Sequence, residues 1–332
     1  MKNSILAILA IIGSIVGSGF ISGKEIVVFF SRFGVYSFPC IFLAFIILFV
    51  LIKLLLDYGP SSIERLNNSK IAFFINFAIS LFFSAAMFAG IIKLLNFENK
   101  IISFLIFSFV LLLSFFVFRF GIGSLNKINL ILVPFMLILF VGLLFSKFSL
   151  KSLQFSSSFG GVSFIYSILY VFLNTANGGV LISTMAKKLS VKQKTQVAFF
   201  SALTLSVVLL IANVVLLLNP TSFDCAMPLV SIFSGVRHLI MTIVVFVGCL
   251  TTLLTLVYSL STSLRGLCKN EFLIYFASVI LPLLLSLCGF NFIVEYLYPI
   301  ASVLGIYLLC ELSFIPLFKR KYKKKHSASK YT

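Results

Sequence analysis

The sequence predicts an all-α polytopic membrane protein of ten transmembrane helices in two inverted five-helix repeats, with helices 1 and 6 broken at mid-membrane. Composition carries the first part of that expectation. Of 332 residues, 61% are hydrophobic and 10% are charged, against about 25% charged in soluble domains. No soluble core buries that much apolar surface. Spacing carries the second part, because apolar runs recur at the roughly 20-residue length that crosses a bilayer. The third observation is a pair of polar, glycine-bearing interruptions, each inside the first run of one half of the chain.

The runs fall near 4–30, 35–56, 71–94, 101–118 and 128–146, then 162–185, 195–218, 236–264, 272–289 and 292–317. Lys2 followed by an apolar run has the look of a signal peptide, but the run continues past the glycines to Phe30, so a retained and broken first span is expected. The last two runs are separated only by Gly289-Phe290-Asn291, and Glu271 to Arg320 is too long for one span. Pro282 and Pro316 are tolerable in or at the end of a membrane helix. The halves are 1–150 and 151–318, joined by the Ser-rich segment Lys147–Gly161, and 319–332 is a basic tail. Five spans per half is an odd number, so the second half must lie upside down relative to the first.

The net charge of +18 does not read as nucleic-acid binding, because the basic residues sit in short segments between apolar runs. With the N-terminus inside, 19 of the 26 Lys and Arg fall on the cytoplasmic side, as the positive-inside rule requires. Both termini are therefore expected in the cytoplasm of a multi-pass cell-membrane protein, with the tail against anionic lipid. The six scattered cysteines and two histidines give no metal or disulfide spacing. No Ser/His/Asp set or phosphate loop suggests an enzyme, and no cofactor is expected.

The first interruption, Gly13 to Glu25, holds four glycines and three serines beside a Lys24–Glu25 pair. Open backbone at this depth is tolerable only where it lines a cavity or is buried in protein. An unwound turn frees N–H groups for an anion and C=O groups for a small cation. Gly17, Ser18 and Gly19 are thus candidates to hold a carboxylate, with Phe20 narrowing the pocket. The second interruption, Asn174-Thr175-Ala176-Asn177-Gly178-Gly179, would supply Asn174, Thr175 and Asn177 from the facing helix. Span 8 carries Gly248-Cys249-Leu250-Thr251-Thr252, whose adjacent hydroxyls suit a hard cation. Such hydroxyls also bond back to their own helix. Close helix packing is the competing account of the span 1 glycines. Glu25 and Lys24 are ionisable groups within a span and so candidates for a gate or proton site. Neighbours on a helix point about 100° apart, so they are not expected to pair with each other.

The stretch G-S-I-V-G-S-G-F-I-S-G-K-E-I-V-V-F-F resembles the opening of YkvI-type bacterial membrane proteins, departing from their pattern at Lys24, where Gln is usual. More widely, the break is similar to that of the amino acid–polyamine–cation superfamily, which implies a LeuT-like fold. That resemblance implies a sodium site formed by Gly13 and Val16 carbonyls, the Gly248 carbonyl and the Thr251 and Thr252 hydroxyls. It also implies an aromatic lid at Phe172. A second sodium site is not implied, since Phe20 and Leu173 occupy its expected positions. The function so expected is a secondary active transporter of a small amino-acid-like or carboxylate solute. It would be coupled to Na⁺ or H⁺ and work by alternating access. The alternative is a receptor or sensor subunit that binds a small ligand in the same fold without moving it.

Overall fold

The computed structural model describes residues 2–95, 100–147 and 160–314. The Ser-rich join is described only at its ends, and the basic tail lies outside the described residues. Every regular element among the described residues is helical.

The chain enters as α1 (Lys2–Ile15), stops at Val16-Gly17, and resumes as two short pieces, α2 (Ser18–Ile21) and α3 (Lys24–Phe29). Gly23 turns α2 into α3 with φ +85°, a left-handed conformation that glycine adopts without strain. A 3-10 stretch (Ser31–Tyr36) leads into α4 (Ser37–Asn68), followed by α5 (Lys70–Leu94), α6 (Lys100–Phe120) and α7 (Ile122–Phe145). The second half runs α8 (Gly160–Met185), α9 (Val191–Leu217), a short α10 (Pro228–Ser231), α11 (Gly235–Leu264) and α12 (Glu271–Ser286). It ends with α13 (Phe290–Phe292), a π-helical turn (Ile293–Leu297) and α14 (Tyr298–Leu309). Among the described residues, eight helical stretches are long and apolar enough to cross a bilayer, and Asn3–Ile15 and Glu271–Ser286 are shorter apolar helices. Local sequence sets several starts. Ser69 accepts the Ala72 N–H at the head of α5, and Ser190 and Gln193 form a capping box on α9. Asn270 caps α12 through the Phe272 and Leu273 N–H groups.

Two differences from the sequence expectation matter. First, α4 runs on to Asn68, well beyond the apolar run that ends near 56. Second, the expected interruption of span 6 is absent, and α8 is helical from Gly160 to Met185, through Asn174–Gly179. Adjacent glycines cost about 1 kcal/mol each in a helix, but 72% of this span's most apolar window is buried inside the bundle, and packing overrides propensity. Asn174 also bonds back to the Tyr170 carbonyl one turn earlier at 3.2 Å, keeping its amide within the helix.

The bundle is apolar outside and partly polar inside. Ile101, Phe104, Ile131, Ile138 and Phe272 are 71–76% exposed, while Ser14, Asn129, Asn174, Asn213 and Thr251 are fully buried. That distribution fits a lipid solvent, in which apolar surface gains nothing by hiding. α1 lies centrally, packed against α7, α8, α9 and α11, while α4 packs on α8 and α9, and α5 on α11, α12 and α14.

Candidate functional site around the α1 break

The break frees backbone groups, and other helices meet them. The Gly17 N–H turns to the Ile15 carbonyl (2.9 Å) and the Ser18 N–H to the Met87 sulfur, leaving the Gly13 and Ser14 carbonyls without their usual partners. Thr252 of α11 donates its hydroxyl to Gly13 O at 3.0 Å. Asn177 of α8 donates its amide to Ser14 O at 2.9 Å. A β-carbon on Gly17 would lie 3.1 Å from Thr252 Oγ1, so that hydroxyl sits directly at the gap. Gly248 is pressed so closely on Ile21 of α2 that it has no room for a side chain. This contact brings the G-C-L-T-T run to the break. Thr251 instead donates to Gly248 O at 3.1 Å on its own helix, and Val16 is fully buried at the break.

The N–H side of the gap is arranged differently. Ser18 N–H meets the Met87 sulfur at 3.4 Å, a weak acceptor, and Ser18 Oγ reaches the Ala86 carbonyl at 3.3 Å. The carboxylate at the break belongs to the protein itself. Glu25, 2% exposed, accepts from Asn174 Nδ2 at 2.7 Å through Oε1. Its Oε2 lies where it would come within 2.7 Å of a β-carbon on Gly19. The edge of the Tyr298 ring is beside the same point at 3.2 Å. Tyr298 stacks on Phe83 with centroids 4.6 Å apart, and Tyr170 meets Phe30 edge-on at 4.9 Å. Both tyrosines lie within electrostatic reach of Glu25. Phe20 is fully buried against Phe140. The Phe172 carbonyl lies against Gly305 of α14, which places that residue at the α8–α14 seam.

Lys24 points away from its neighbour Glu25. Its ammonium pairs with Glu295 in the π-helical turn at 2.8 Å and meets the Phe223 carbonyl at 3.4 Å. The connection between α9 and α11 is fastened to the same corner, since the Leu229 N–H donates to Ser22 O at 2.8 Å. A β-carbon on Gly23 would strike Leu229 at 2.7 Å. The α3 face of the site is therefore shut by this connection and by the Lys24–Glu295 pair.

Sequence reasoning missed Asn129 of α7. Its amide lies 3.2 Å from a β-carbon position on Gly13, it is fully buried, and neither amide atom has a hydrogen-bond partner. The available signal was a lone Asn in the run Ile128-Asn129-Leu130-Ile131, masked by Lys127, which makes the segment read as a span edge. Tyr298 was missed too, as one aromatic among many.

No family model matches this chain. The uncharacterised protein YyaD of Bacillus subtilis (strain 168) is 24% identical over 331 residues, covering 94% of this chain and 96% of that protein. Among solved structures, the chain is similar to Mhp1, a nucleobase-cation-symport-1 family transporter in a closed conformation with bromovinylhydantoin bound. The match has a TM-score of 0.56 and 15% identity, and covers 92% of this chain and 76% of that one. The chain shares the fold of a membrane transporter.

Proposed function

We propose that the chain is a secondary active transporter that binds a small amino-acid-like or carboxylate solute at the α1 break and moves it by alternating access. One observation carries this reading above the rest. A fully buried break in a transporter fold is met by polar side chains from α3, α8 and α11, two of which keep an unpartnered atom: Asn174 Oδ1 and Asn177 Oδ1. A merely structural kink would have its polar groups satisfied. The ten-span, inverted-repeat, LeuT-like arrangement belongs to this proposal, as do the YkvI-type resemblance and cytoplasmic termini.

Sodium is the coupling ion of this reading, carried as cargo. The residues present fit it: Gly13 O, Val16 O, Gly248 O and the Thr251 and Thr252 hydroxyls are all oxygen donors, which a small hard cation requires. The Thr252–Gly13 contact already joins the two helices that would share it. Glu25 is the site for a proton if coupling is to H⁺.

The test is solute uptake into proteoliposomes with and without a sodium gradient, for the wild type and for Thr251→Ala/Thr252→Ala. Gradient-driven uptake lost in the double variant supports the reading. Sodium-independent uptake, unchanged in the variant, removes sodium and leaves transport standing. Ligand-dependent stabilisation with no flux of any solute would turn the reading to a receptor.

A further inference from the structure

The groups facing the Glu25 carboxylate share one property. Asn174 spends its amide donor on Glu25 and on the Tyr170 carbonyl, which leaves Oδ1 as a buried acceptor with no partner. The Tyr298 hydroxyl, on a ring that touches the same point over Gly19, is also buried and unpartnered. The Tyr298 ring brings its edge to this point while its face is stacked on Phe83. No salt bridge to Glu25 is found among the described residues, and the neighbouring ammonium of Lys24 is committed to Glu295. A buried carboxylate with no counter-charge is costly and marks a functional site by default.

We propose that the solute group recognised at the break is a protonated amine, with Glu25 as its counter-charge and Asn174 Oδ1 and Tyr298 Oη as its neutral acceptors. An ammonium carries three donors and no acceptor, which complements one carboxylate and two neutral acceptors. A solute carboxylate directed to Gly17–Gly19 would instead meet Glu25 Oε2 across Gly19, two like charges at short range. The inference rests on the reading of the break as a solute site and narrows it: of amino-acid-like and carboxylate solutes, the amine-bearing ones are selected.

Thermal melting of the purified full-length chain in detergent tests this, using methylammonium, butylammonium, guanidinium and 2-aminobutyrate against acetate and butyrate. Amine-bearing probes should raise the wild-type melting temperature in proportion to the logarithm of their concentration, as ligands of the folded state do, and the two carboxylates should not. Glu25→Gln keeps the acceptor for Asn174 and removes the charge. It should melt at or above the wild type and require at least tenfold more amine for the same shift. Glu25→Asp should retain a response. A shift with butyrate but none with any amine overturns the proposal. So does an amine response in Glu25→Gln equal to that of the wild type, or silence toward every amine. Flux in liposomes is a separate readout: amines that bind without moving would remove transport and support the amine site.

Discussion

Asn213 on α9 and Asn174 on α8 are both 0% exposed, yet they are used in opposite ways. Asn213 is saturated. Its Oδ1 accepts from Ser31 at 2.8 Å, its Nδ2 donates to Ser37 at 2.8 Å, and Ser37 passes its own proton to Gly34 O at 2.6 Å. The seam between α5 and α11 is closed likewise, by Asn76 on Ser263 and Ser80 on Ser259, both at 3.1 Å. Around the α1 break, Asn129, Asn174 and Asn177 all keep unpartnered buried atoms. The same residue types thus serve as fasteners in one region and as an open valence in the other. An unmade buried hydrogen bond costs roughly 1–3 kcal/mol, and a concentration of them at one place is what a ligand site would maintain.

Mutations can break or sharpen this contrast. The largest stability effect is expected at Asn213→Leu, which strips Ser31 and Ser37 of their partner. It should cost about 2–3 kcal/mol, seen as a lower melting temperature in detergent, with ligand responses unchanged in kind. Asn129→Leu should go the other way, because replacing a bare buried amide with an apolar side chain of similar size is neutral or stabilising, by up to about 2 kcal/mol. A loss of stability comparable to that of Asn213→Leu would break the distinction. Thr252→Val removes one hydroxyl bond to Gly13 O, a loss of about 1 kcal/mol, and should weaken sodium-dependent stabilisation at least tenfold. Lys24→Ala should have the smallest effect on stability, about 1 kcal/mol or less. Its partner Glu295 is 40% exposed and can turn to solvent or lipid headgroups. Reagent access to a cysteine placed at Ser22 should rise in that variant.

The all-helical membrane class was legible in the sequence, because lipid imposes run length, and Gly17 lies where α1 gives way to α2. Thr252 of the G-C-L-T-T run donates to Gly13 O at the break, while Thr251 bonds back to its own helix. The α8 interruption was misjudged for a physical reason. Asn and Gly weaken an isolated helix, but α8 is clasped by α1, α4 and α14 and keeps its winding. The Glu25–Asn174 bond joins residues 149 apart, and the Lys24–Glu295 pair a still greater span of sequence. No local pattern announces either one. Tyr298 and Asn129 were invisible for the same cause, since each gains its meaning only from what the fold sets opposite it.

The π-helical turn at Ile293–Leu297 has a mechanical consequence. Glu295, which holds Lys24, lies inside the turn, and Tyr298, which covers the carboxylate, follows directly after it. A π turn stores one residue more than an α turn. Rewinding it as α-helix would swivel everything beyond it by about 100°. The latch on α3 and the tyrosine over Glu25 would then fall out of phase. In the conformation seen here the extra residue of the turn keeps both contacts in register at once.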